Sequence, residues 1–177
     1  VTSSNGQTVL EQSIPMHYVV GSGSRGRSFL HQSGDRLYQS PITWYVEKKL
    51  WDLSPGYIPG NHQRFERVIF DKCLACHAGK VNRVAHKPDH FDSETPFREM
   101  GISCQRCHGD ATKHVETHRQ GTFKAEHFIV NPAKLPTLEK ESICNQCHLS
   151  GKYRAPRFGK SFFDFRPGMK LSEAWSV

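Results

Sequence analysis

Short runs of apolar and aromatic positions among polar ones mark the first quarter of the chain as β: MHYVV (Met16–Val20), RSFLHQS (Arg27–Ser33) and RLYQS (Arg36–Ser40) each read as a strand. Gly34 and Asp35 suit a two-residue turn, so the last two segments predict an antiparallel hairpin, and ITWYV (Ile42–Val46) predicts a further strand. The intervening GSGSRG (Gly21–Gly26) has the lettering of a dinucleotide fingerprint, but that motif needs a helix after it, with its N-terminus at the pyrophosphate. Here a strand-like segment follows, so the stretch reads as a glycine-rich bend exposing Arg25 and Arg27 to an acidic group. LWDLSPGYIPGNH (Leu50–His62), broken by Pro55, Gly56, Pro59 and Gly60, predicts a loop.

Helical signals come later and are short. The clearest is TLEKESICNQCH: Thr137 is placed to cap, Glu139 and Glu141 favour the first turn, and Cys144, Cys147 and His148 fall on one face. The basic, aromatic tail RFGKSFFDFRPGMKL reads as the completion of a core. The expected organisation is a β-rich segment, residues 1–66, packing on residues 67–177 as one integrated domain.

Hydrophobic residues make up only 36% of the 177, so something besides side chains is expected to supply apolar bulk. No run reaches the eighteen apolar residues of a membrane helix. The opening VTSSNGQTVLEQS lacks the basic and apolar regions of a signal peptide, so the expectation is a soluble chain, mature or trimmed. The formal charge of +7 is scattered along the chain, not blocked, which argues against nucleic acid.

All six cysteines fall in C-x-x-C pairs, each followed directly by histidine: CLACH (Cys73, Cys76, His77), CQRCH (Cys104, Cys107, His108) and CNQCH (Cys144, Cys147, His148). With 11 histidines in 177 residues, that coincidence has random odds on the order of 10⁻⁴. Structural zinc demands no histidine beside every second cysteine, and a thioredoxin-like dithiol does not explain the histidines either. C-x-x-C-H attaches c-type haem, because positions i, i+3 and i+4 share one helical face: two sulfurs form thioethers while the imidazole reaches iron. The reading is three haem c groups, with the six cysteines as anchors and His77, His108 and His148 as proximal iron ligands. Each ferric haem with ionised propionates adds roughly one negative charge, which offsets the basic balance. Haem attachment of this type places the chain in the periplasm or outside the cell.

Eight histidines remain for the sixth coordination positions: His17, His31, His62, His86, His90, His114, His118 and His127. Met16, Met100 and Met169 are alternatives that read better as core. His114, in GDATKH just past the second motif, leads. The path from His108 is too short to round a porphyrin edge, so His114 is assigned to a neighbouring iron. His62, His31 and the pair His86 and His90 follow without a firm order.

GSGSRGRSFL, SPITWYVEKKLWDLSPGY, GISCQRCHG followed by KHV, IVNPAKL, CNQCHLSG and FDFRPGMKL together resemble bacterial multihaem c-type cytochromes. Within that group the chain is similar to the tetrahaem carriers of ammonia oxidation and to cytochrome domains fused to tetratricopeptide repeats. The resemblance implies a multihaem cytochrome fold, mostly irregular, with short helices at the haem motifs and an N-terminal antiparallel hairpin region. It also implies electron transfer, mostly bis-histidine haems in close-packed pairs, and a distal-ligand role for His114. Relatives commonly carry a further C-x-x-C-H upstream, which this chain lacks.

The expected function is electron transfer between redox partners, other cytochromes among them, with no catalytic side chain required. A homopolymer or filament through stacked haems is a variant of this reading. The alternative is an oxidoreductase with one open haem, acting on a small nitrogen or sulfur compound.

Overall fold

The computed structural model describes residues 5, 6, 11–122, 127–149, 151 and 153–177, which fall into two compact units. The first comprises residues 1–69 and 84–94, and the second residues 70–83 and 95–177.

A five-stranded antiparallel sheet organises the first unit: β1 (Tyr18–Val20), β2 (Gly26–Ser33), β3 (Arg36–Tyr45) and β4 (Leu50–Leu53) lie in that order, and β5 (Arg67–Val68) pairs with β3. Gly34 and Asp35 join β2 to β3, and Gly34 has φ +58°, a conformation that glycine adopts without penalty. β3 is one strand where RLYQS and ITWYV predicted two, although Pro41 lies inside it. Proline survives there because its main-chain edge faces Ser54: the Pro41 carbonyl accepts from the Ser54 amide at 2.8 Å, while the Ser54 carbonyl is already taken by the Tyr57 amide at 3.0 Å and needs no donor from proline. Leu50–Leu53, which the sequence predicted as loop, is strand β4, with Trp51 opposite Trp44 and their rings 5.5 Å apart.

The inward face of this sheet combines Leu30 and Leu37 with a chain of hydroxyls. Ser54 donates to the Ser40 carbonyl at 2.8 Å, which leaves its oxygen to accept from Thr43 at 2.8 Å. Thr43 must then accept from Ser28, 2.7 Å away. Each buried hydroxyl is therefore satisfied. The 84–94 excursion is pinned to the hairpin: the Phe91 amide donates to the Asp35 carbonyl at 2.8 Å, and Gln32 Nε2 donates to the Ser93 carbonyl at 3.0 Å. Arg25, expected to be available to an acidic group, pairs with Glu47 at 3.4 Å on the surface.

In the second unit, α1 (Asp71–His77) is followed by the short antiparallel pair β6 (Lys80–Val81) and β7 (Phe97–Glu99). Then come α2 (Gln105–His108), α3 (Thr112–Arg119), a 3-10 turn at Pro132–Lys134, and α4 (Thr137–His148). β8 (Ala155–Pro156), α5 (Leu171–Ala174) and β9 (Trp175–Ser176) close it, with β8 and β9 paired antiparallel. Asp71 opens α1 and meets Arg83 at 2.9 Å, a carboxylate where the helix N-terminus favours one. Thr137 is the first residue inside α4 and not its cap; Pro136 holds the cap position with no side-chain bond. A proline just before the first turn sets the entry dihedral without needing a donor. The tail completes the core, where Ile143, Phe165, Leu171, Ala174 and Trp175 cluster with Val130, Leu135, Phe162 and Met169 around them. Ser142 ties α4 to α5, donating to the Leu138 carbonyl at 2.6 Å and accepting from the Leu171 amide at 2.9 Å.

Phe91 is fully buried in the first unit, so Phe91→Ala is expected to destabilise that unit by about 3–5 kcal/mol. Denaturant unfolding followed by tryptophan fluorescence reads this, since Trp44 and Trp51 both lie in the same sheet.

Candidate haem-attachment centre

Each C-x-x-C-H motif forms the same local structure. α1, α2 and α4 all end on the motif histidine, His77, His108 and His148. The next residue leaves the helix while its amide donates to the carbonyl of the residue after the first cysteine: Ala78 to Leu74, Gly109 to Gln105, Leu149 to Asn145. This turn places both thiols and the imidazole on one face. After His108 the exit needs glycine, since Gly109 has φ +77° and ψ −164°. All six cysteines are free thiols.

The three helices meet through the residues that separate their cysteines. Arg106 Nη2 donates to the carbonyl of Ala75. The Arg106 carbonyl in turn accepts from Gln146 Nε2 at 3.1 Å. Leu74 and Ala75, Gln105 and Arg106, Asn145 and Gln146 thus do more than space the cysteines: one member of each pair builds the junction. Arg154 joins from outside the motifs, donating to the Gln146 carbonyl at 2.9 Å with its guanidinium 4.5 Å from the Trp175 ring. Cys76 Sγ lies 3.5 Å from that same carbonyl. Its hydrogen bond with Cys147 draws the Cys76 thiol down to about 5, against the upward pull of burial and with help from Arg154. The same contact pushes the Cys147 thiol up.

His108 is held twice by Val130. The Val130 amide donates to the His108 carbonyl at 2.9 Å, and the Val130 carbonyl accepts from His108 Nδ1 at 2.8 Å. A carbonyl can only accept, so Nδ1 carries the proton and Nε2 keeps its lone pair, the tautomer that metal-bound imidazole requires. Beside His108 lies a cavity of about 550 Å³ walled by Phe128, Ile129, Val130 and Pro167. A second cavity of about 550 Å³ is lined by Lys80, Arg83, Arg98, Arg106 and Arg166 together with Phe163 and Phe165.

The same proton bookkeeping sorts the other histidines. His114, on α3, donates from Nδ1 to the His127 carbonyl at 2.7 Å, so its Nε2 is also a lone-pair donor. Its ring lies 4.2 Å from that of His118 one turn on. His31 instead donates from Nε2 to the Phe65 carbonyl at 2.8 Å and stacks on Tyr38 at 5.0 Å, so the nitrogen that would reach iron is engaged. His62 Nδ1 accepts from the Arg64 amide at 3.1 Å, which puts the proton on Nε2. His17 does likewise with the Gln32 amide at 3.0 Å. His90 has the metal-binding tautomer, donating from Nδ1 to the Pro88 carbonyl at 2.7 Å, but its Nε2 accepts from Arg36 Nε at 3.2 Å. His77 and His148 are exposed at their helix ends.

These residues fit a covalent haem: free thiols in pairs, an imidazole with its lone pair oriented, and two guanidinium groups, Arg106 and Arg154, whose buried Nε atoms have no acceptor. Sequence reasoning did not find the Arg106, Gln146 and Arg154 junction. The first two positions were visible as the spacers of their motifs, whereas nothing in the lettering showed that they converge.

Residues 60–109, which hold the first two motifs, match the family described as Cytochrome c554 and c-prime. The crystal structure of the outer cell wall cytochrome OcwA matches with a TM-score of 0.51 and 22% identity, over 88% of this chain. The matched region is 31% of the OcwA chain, so this chain spans about a third of that protein. No curated protein matches the chain. The segment carrying the first two motifs is therefore similar to the Cytochrome c554 and c-prime family, and the fold of the chain is similar to that of the cytochrome OcwA.

Proposed function

We propose that the chain transfers electrons outside the cytoplasm through three covalently attached haem c groups, exchanging them with other cytochromes. The observation that carries the reading is the threefold recurrence of one attachment geometry on helices joined at a single junction. Each haem supplies an iron that takes up or gives up one electron. The protein's part is to hold it: Cys73 and Cys76, Cys104 and Cys107, Cys144 and Cys147 anchor, and His77, His108 and His148 ligate. His114 is the sixth ligand best supported, since its ring is fixed by the His127 carbonyl with Nε2 available. No catalytic side chain is needed. The outer cell wall location in the name of OcwA supports residence beyond the cytoplasm. Among the described residues no helix is long and apolar enough to cross a membrane.

Mass spectrometry of the chain expressed with cytochrome c maturation machinery is expected to show three covalent haems, with one fewer in each Cys→Ala pair variant; an unmodified mass would sink the assignment. Electron paramagnetic resonance of the oxidised protein is expected to give only low-spin ferric signals. A stoichiometric high-spin haem would instead favour an open-site oxidoreductase. His114→Ala is expected to convert one haem in three to high spin, and unchanged spectra would remove His114 from the ligand set.

A further inference from the structure

The junction contains more charge than its hydrogen bonds require. Arg106 and Arg154 both donate to main-chain carbonyls, those of Ala75 and Gln146. A neutral amide does that work without desolvating a cation, and Gln146 does so in the same place, reaching the Arg106 carbonyl at 3.1 Å. Taking a guanidinium even partly out of water carries a desolvation cost, and Arg106 and Arg154 are both half-buried. Yet no ion pair at 4.0 Å or less joins either arginine to a carboxylate among the described residues; the nearby acids Asp71 and Glu99 pair with Arg83 and Lys80. Both Nε atoms are buried without an acceptor. Arg154 also lies against an anchor thiol, with Nη1 3.8 Å from Cys76 Sγ, and Cys76 shares a hydrogen bond with Cys147.

We propose that Arg106 and Arg154 are positioning residues that place two positive charges beside the anchor sulfurs, and so raise the reduction potential of the haems anchored through Cys76 and Cys147. This rests on the haem-bearing reading above. Reduction adds one electron and no proton at the iron, so a nearby positive charge stabilises the ferrous state over the ferric. The half-buried setting of both side chains reduces screening by salt.

The test is spectroelectrochemical titration of the haem-loaded protein, with haem content measured by mass on each sample. Arg154→Gln and Arg106→Gln are each expected to lower the potential of one or two of the three haems by about tenfold in the reduction equilibrium, about 59 mV for a one-electron couple. Arg154→Lys and Arg106→Lys, which keep the charge, are expected to stay close to the parent. Unchanged potentials in fully loaded Gln variants would overturn the proposal. If the Gln variants do not load haem, rescue of loading by the Lys variants would support a charge role. Failure of all four would overturn it, because the guanidinium shape would then be serving packing alone. Absence of covalent haem from the parent protein would instead overturn the underlying functional reading.

Discussion

One hydrogen-bonded junction joins the three attachment helices of the second unit. Arg106 reaches the main chain of α1 while its own carbonyl receives Gln146 from α4. Helices of 7, 4 and 12 residues are too short to persist alone. Neither α2 nor α3 has a buried residue, so apolar packing cannot be what fixes α2. Hydrogen bonds fix it: Arg106, between its two cysteines, reaches α1, Gln146 reaches the Arg106 carbonyl, and Val130 holds His108. The attachment motif is therefore also the tertiary contact, and the position of each thiol pair depends on the spacer residues of another motif.

The same scarcity of apolar side chains shapes the rest of that unit. Its core is built mainly by residues beyond the last motif, Phe165, Leu171, Ala174 and Trp175, gathered on Ile143 of α4. Packing thus holds α4 and hydrogen bonds extend that rigidity to α1 and α2. In the first unit the economy is different: a sheet with Leu30 and Leu37 on its inward face fills the remainder with hydroxyls that satisfy one another. A directed chain of four hydroxyl and carbonyl groups avoids the cost of burying polar atoms unpaired.

Much of the fold was legible where a short-range rule governs it. Strand-like composition between turn signals located β1, β2 and the start of β3, and the helical face shared by Cys144, Cys147 and His148 follows from spacing alone. The misreadings share a cause, which is that a neighbour overrode a local rule. Pro41 fits inside β3 because the carbonyl it faces, that of Ser54, already accepts from Tyr57, and Leu50–Leu53 is a strand because β3 presents Trp44 to Trp51. Thr137 fails to cap because Pro136 already sets the helix entry. Each depends on a partner distant in sequence or on a neighbouring residue's dihedral, and no periodicity encodes either.

The histidines show the limit most sharply. Eleven imidazoles look alike in a sequence, and position along the chain put His114 first while leaving His62, His31, His86 and His90 in no firm order. What separates them is the chemistry of the atom each ring faces. A carbonyl at Nδ1 leaves Nε2 ready for a metal, as in His108 and His114. An amide at Nδ1, as in His62, or a carbonyl at Nε2, as in His31, does the reverse. The carbonyl that orients His114 belongs to His127 and the one that orients His108 to Val130, three residues further on. A single stretch of main chain after α3 thus sets the proton on two imidazoles from two different helices, so residues 127–130 orient both rings without supplying either.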